Sequence, residues 1–157
     1  MELNSQQQRL RSEFWQFVDV HVVPFANAWD RQEIMPPEIV RQMANHGYLG
    51  ALVPGGKGGA SFDSVEFGLL NEELGRGCSS LRSLLTVHSM VALTVSRWGT
   101  EDLKTQWLEK LGQGQAIGAF AITEAEAGSD AREIRTEAIE CGDDFVLTGH
   151  KKWITFG

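Results

Sequence analysis

A change of period at Gly114 is the strongest constraint on how this chain folds. Before it, apolar residues recur at steps of three and four; after it, they sit in short runs or alternate with polar ones. Leu10, Phe14, Phe17, Val18 and His21 form one amphipathic face, and Pro24 stands where it interrupts or kinks that helix. A second helix is predicted to start at Pro36-Pro37 and to stop at Gly47. Residues 54–59 are a loop by composition. Asp63 and Glu66 have the spacing of a capping box, so a helix is expected from there to about Gly75. Ser79 or Ser80 is the expected cap of the next, which carries Leu81, Leu84, Leu85, His88, Val91, Ala92 and Val95 and stops near Gly99. Thr100 caps a last helix ending at Gly112. Four of the five tryptophans fall in this helical part and are expected in its core.

Beyond Gly114, residues 116–122 are a short apolar run and residues 133–140 alternate. Residues 144–149 and 151–156 are expected to form a hairpin around Gly149-His150. Helices followed by strands specify an α+β chain rather than alternating βαβ units. The expected organisation is an all-α domain over residues 1–115, then the first strands of an antiparallel β-barrel or sandwich domain over residues 116–157. About four strands would leave the sheet with an open edge at Gly157. At 157 residues the chain is long enough to bury roughly 70% of its unfolded surface without staples.

Lys+Arg 14 against Asp+Glu 21 gives a net charge of −7, and Lys151-Lys152 is the only close basic pair, so a nucleic-acid partner is not expected. No apolar run approaches the roughly 20 residues of a membrane span, and the N-terminus has no signal-peptide core. Cys78 and Cys141 lack framework spacing and read as reduced thiols in a cytoplasm. The four histidines show no metal-ligand spacing, so no metal is expected. His88 is expected as a satisfied core residue rather than a pocket lining, and Cys78 as structural. Residues 55–59 are not a phosphate-binding P-loop, because no Gly-Lys-Ser/Thr closes them.

Two blocks near the end carry the chemistry. Phe120, Ile122 and Trp153 offer apolar walls, Thr123 and Thr155 offer hydroxyls, and Gly128-Ser129 offers closely spaced backbone N–H groups. That set suits a flat aromatic ring such as a flavin, with its pyrophosphate at the glycine–serine corner. The residue types alone favour the plainer reading of β-formers beside an ordinary turn.

The stretch Gly118-Ala119-Phe120-Ala121-Ile122-Thr123-Glu124, with Ala127-Gly128-Ser129-Asp130 and Asp144-Phe145-Val146-Leu147-Thr148-Gly149-His150-Lys151-Lys152-Trp153-Ile154-Thr155, resembles the acyl-CoA dehydrogenase family. Upstream, Gly47, Val53-Pro54, Gly58-Gly59, Glu72-Glu73-Leu74-Gly75-Arg76 and Gly99-Thr100-Glu101 resemble that family's helical domain. The likeness covers the chain from about Pro36. It implies FAD as cofactor without a Rossmann fold, and a homo-oligomer of greater length with a C-terminal helical bundle.

By that resemblance, Phe120, Ile122 and Thr123 would contact the flavin ring, and Thr123 would bond its pyrimidine edge. Gly128 and Ser129 would meet the pyrophosphate, with Ser129 also near the substrate. Trp153 would pack on the ring, Thr155 would bond near its reactive nitrogen, and Ile154 completes the cofactor-binding set. The implied reaction removes the α-proton of an acyl thioester and a hydride from its β-carbon, with the catalytic base, usually a glutamate, lying beyond Gly157. Residues Cys78-Ser79-Ser80-Leu81-Arg82-Ser83-Leu84-Leu85-Thr86 further resemble polyketide-pathway members that act on acyl groups held by an acyl carrier protein. Two departures stand out: Ala125-Glu126 where the family usually has Pro-Gly, and Phe156 where Asn is common. A flavin monooxygenase or oxidase on the same scaffold, and a non-catalytic interaction domain, are the alternative readings.

Overall fold

Asn4 begins the first helix by local chemistry. Its side chain accepts from the Gln7 N–H at 2.9 Å, and the Gln7 side chain accepts from the Asn4 N–H at 3.1 Å. The computed structural model describes residues 2–157, and helix α1 runs Ser5–His21. Helix α2, Val23–Gln32, restarts with Pro24 in its first turn, where no N–H is needed. The proline therefore separates two helices instead of kinking one.

Helix α3 spans Pro37–Asn45, and Gly47 follows at φ 75°, a conformation a side chain resists. Helix α4, Ser64–Gly77, carries the expected capping box, with Asp63 accepting from the Val65 and Glu66 N–H groups at 2.8 Å each. Helix α5 is Ser79–Trp98, so neither serine caps it. The extended Cys78 closes α4 and opens α5 by itself: its N–H reaches the Leu74 carbonyl at 2.7 Å, and its own carbonyl accepts from the Arg82 N–H at 3.2 Å. Thr100 caps helix α6, Glu101–Gly112, through the Leu103 N–H at 3.3 Å.

These six helices belong to one of two compact units, Met1–Gly118; the other is Ala119–Gly157. The first unit's core joins Phe14 and Val18 of α1, Met43 of α3, Leu70 and Leu74 of α4, and Leu81, Leu84 and Leu85 of α5. A smaller cluster, Val53, Ala92, Leu108 and Leu111, lies between α5 and α6. Helices α1 and α4 approach closely at Gly77, where an added Cβ would lie 2.5 Å from Val18 Cγ1 and 3.0 Å from Val22 Cγ1.

The tryptophans are not the core. Trp15 and Trp98 are 52% and 74% exposed, and Trp107 is exposed as well; only Trp29 packs against the buried cluster. Trp15 follows Phe14 by one position and so lies about 100° round from the buried face. The Arg76 guanidinium sits 5.9 Å from the Trp15 ring and Lys110 Nζ sits 5.2 Å from the Trp107 ring, contacts suited to amphipathic rings at the surface.

In the second unit, β1 (Glu137–Cys141) pairs antiparallel with β2 (Asp144–Thr148), in register Glu137↔Thr148 to Cys141↔Asp144. The hairpin turns at Gly142-Asp143, not at Gly149-His150. Gly142 has φ 66° and Asp143 does not, the pattern of a type II′ turn. Among the described residues these are the only two strands, against the four expected. Residues 116–122 and 151–156 form no ladder. Trp153 and Phe156 stand at φ 59° and 56°, left-handed values a strand cannot contain. Every residue of both strands is exposed, so neither face of the hairpin is covered.

Candidate functional site

In the second unit, only Glu124 and Ala127 are buried. Its interior is thus organised by a carboxylate rather than by oil. Glu124 Oε2 accepts from the Arg135 N–H at 2.7 Å, and Oε1 accepts from the Thr136 N–H at 3.0 Å and from the Thr136 hydroxyl. Lys151 Nζ donates to Glu124 Oε1 at 2.9 Å and to the Ile122 carbonyl at 3.1 Å. The Thr136 hydroxyl first, then the Arg135 N–H and Lys151, hold the Glu124 carboxyl down to about 2 from an ordinary 4.5, against an opposing effect of burial.

Two backbone bonds extend this arrangement to the predicted cofactor segments. The Glu124 N–H donates to the Ala127 carbonyl at 2.9 Å, closing the turn that leads to Gly128 and Ser129. The Lys152 N–H donates to the Thr123 carbonyl at 2.8 Å, tying residues 151–155 to residues 122–124. The two blocks singled out in the sequence, far apart along the chain, therefore share one unit and are bonded to each other.

Thr123 is half-buried between the exposed Ile122 and the buried Glu124, and Phe120 is exposed. Gly128 and Ser129 are exposed, and a Cβ built on Gly128 meets nothing within 4 Å, so a ligand can come close to the backbone there. The adjacent Asp130 carboxylate is engaged by Arg132 at 2.9 Å (Nε) and 2.8 Å (Nη2), which lowers the Asp130 pKa and raises that of Arg132. The paired Arg132 offsets the Asp130 charge, so that corner repels an anion less than a lone carboxylate would. Trp153 is 82% exposed, while Ile154 and Thr155 are half-buried. Exposed apolar side chains at Phe120, Ile122 and Trp153, in the same unit as an open Gly128-Ser129 backbone, are residue types that suit a flat ring carrying a phosphate tail.

Glu124, Thr136 and Lys151 were given no role by the sequence. The only signal was a carboxylate just after the apolar run 116–122, followed much later by a lysine whose partner the chain does not identify locally. In the first unit, His88 is fully buried on α5. Its Nδ1 accepts from the Gly118 N–H at 3.1 Å, so Nε2 carries the proton and donates to the Leu111 carbonyl at 3.2 Å. Burial pushes its pKa below 6.5. This is the satisfied core histidine expected. Cys78 and Cys141 are free, and among the described residues no cluster of three His, Cys, Asp or Glu suits a metal. Among the described residues no helix is long and apolar enough to cross a membrane.

The family model for the acyl-CoA dehydrogenase N-terminal domain matches residues 4–115. Glutaryl-CoA dehydrogenase of Desulfococcus multivorans is 36% identical over 98% of this chain and 40% of its own length. The mitochondrial short-chain specific acyl-CoA dehydrogenase of Rattus norvegicus is 35% identical over 99% of this chain and 38% of its own. Among solved structures, glutaryl-CoA dehydrogenase of Mycobacterium smegmatis in complex with FADH2 superposes with a TM-score of 0.92 at 34% identity, over 97% of this chain and 39% of that one. The chain spans between 28% and 42% of the length of the curated relatives it matches.

Proposed function

The chain belongs to the acyl-CoA dehydrogenase family, and on that premise we propose that it is the N-terminal part of an FAD-dependent acyl thioester dehydrogenase. The observation that carries this reading is the bonded pair of segments, Thr123 to Lys152, beside an open Gly128-Ser129 corner. When bound, FAD supplies a hydride acceptor to an acyl thioester that gives up its α-proton. The residues of this chain hold and shield. Phe120, Ile122, Trp153 and Ile154 wall a ring and keep water from it, Thr123 bonds its pyrimidine edge, and Thr155 bonds near the reactive nitrogen. Gly128 and Ser129 take the pyrophosphate through their N–H groups, and Ser129 also lies near the substrate. Removal of the α-proton is assigned to no residue described here.

The substrate is a short acyl group, on CoA or on an acyl carrier protein; the likeness of residues 78–86 to polyketide-pathway members supports the second carrier. The enzyme works as a homo-oligomer in a cytoplasm, consistent with two free cysteines. Titration of the full-length protein with FAD tests the reading. Flavin absorbance should be retained through gel filtration and bleach when a short acyl thioester is added without oxygen, and comparing CoA with carrier-bound thioesters identifies the carrier. A full-length protein that stays colourless at saturating FAD overturns it.

A further inference from the structure

We propose that Glu124, with Lys151 and Thr136, is a positioning knot that sets the geometry of the cofactor-contacting segments; the proposal rests on the flavin reading above. Three stretches of chain that do not pair as strands converge on this one carboxylate. Residues 122–124 bring Thr123 and Glu124, residues 135–136 bring two N–H donors and a hydroxyl, and residues 151–152 bring the Lys151 ammonium and the N–H that bonds Thr123. Thr123 is the neighbour of Glu124, and Trp153 to Thr155 follow Lys152 directly, so both proposed ring-contacting blocks hang from the knot by one or two peptide units.

No strand ladder within the unit performs this task. Its two strands are exposed throughout, and the segments bearing the contacts have no ladder of their own. With Ala127 the only buried apolar residue of the unit, packing within residues 119–157 holds these segments weakly, and directional bonds to a shared carboxylate join them. Gly149 supports the same conclusion. A Cβ there would meet Thr136 Cα at 2.9 Å and its side chain closer still, so the chain keeps a glycine where Thr136 must stay in place to reach Glu124.

A buried carboxylate bonded on both oxygens cannot lose one partner quietly, because the remaining charge is left unpaired. The test compares full-length wild type with Glu124→Gln, Lys151→Met and their double variant, loaded with FAD. The expected result is a rise of about tenfold in the FAD dissociation constant for each single variant, with an altered shape of the bound flavin's visible band. The double variant should be no worse than the worse single, since the two side chains act as one unit. A variant that merely loosened the fold would not change the spectrum of flavin that remains bound. Should Glu124→Gln fail to fold, Thr136→Val, which removes one hydroxyl, decides: the same spectral change supports the knot, and an unchanged band overturns it. Wild type that binds FAD alongside single variants with unchanged affinity and spectrum overturns the knot and leaves the flavin reading intact. Additive losses in the double variant also overturn it. Wild type that takes up no FAD overturns the flavin reading itself, and the knot's role with it.

Discussion

His88 shows how a single side chain can be assigned correctly before its partners are known. A histidine on the apolar face of a predicted helix is a core residue by default, and the pattern of Leu84, Leu85 and Val91 around it was enough to say so. What the pattern could not supply is the pair of groups it joins, the Leu111 carbonyl in the last turn of α6 and the Gly118 N–H in the irregular chain beyond it, because local propensity places neither against α5. His88→Ala should destabilise the first unit by about 3 kcal/mol in urea unfolding, since it orphans a buried donor and a buried acceptor. The pH sign follows from burial. The folded ring binds its proton less readily than the unfolded ring, so the stabilisation is complete above 6.5 and declines as pH falls below it towards the lower folded value. Urea midpoints at neutral pH and about one unit below 6.5 should therefore differ in wild type and converge in His88→Gln. Thr123, Gly128, Ser129 and Trp153 were singled out as a group by the resemblance, and the structure places them in one unit, whereas Glu124 was not singled out: its partners Thr136 and Lys151 are brought to it only by folding.

Among the elements, helices announced themselves and irregular chain did not. Asp63 with Glu66 and Thr100 are local devices, each acting within three residues, and the structure contains both. The hairpin was misplaced because Gly149-His150 and Gly142-Asp143 offer the same turn chemistry, and register is settled by which strands find a partner. Helix α4 offers a sharp test of packing against propensity. Gly68 has open space around its missing Cβ, so Gly68→Ala should stabilise by about 0.5–1 kcal/mol. At Gly77 the same change drives a methyl into Val18, and overpacking outweighs the propensity gain, with an expected loss of about 1–3 kcal/mol. Thermal unfolding of the two variants should shift in opposite directions; two shifts of one sign would refute the close approach of α1 and α4.

At the scale of the whole chain, the two units differ in how much apolar surface residues 1–157 cover by themselves. Residues 2–118 enclose a continuous apolar cluster, whereas residues 119–157 leave Ile139, Phe145, Val146 and Leu147 in water on both faces of the hairpin. A net charge of −7 opposes association of such surfaces at low ionic strength, and salt screens that repulsion. Light scattering of the 157-residue chain should therefore rise with added salt, and Leu147→Lys with Phe145→Lys should suppress the rise. Scattering indifferent to salt or to these changes would count against an uncovered hairpin. The oily half and the salt-locked half also answer differently to cold. Apolar contacts weaken on chilling while the Glu124–Lys151 lock does not share that weakness, so lowering the temperature works against the helices and spares the segments that meet at Glu124.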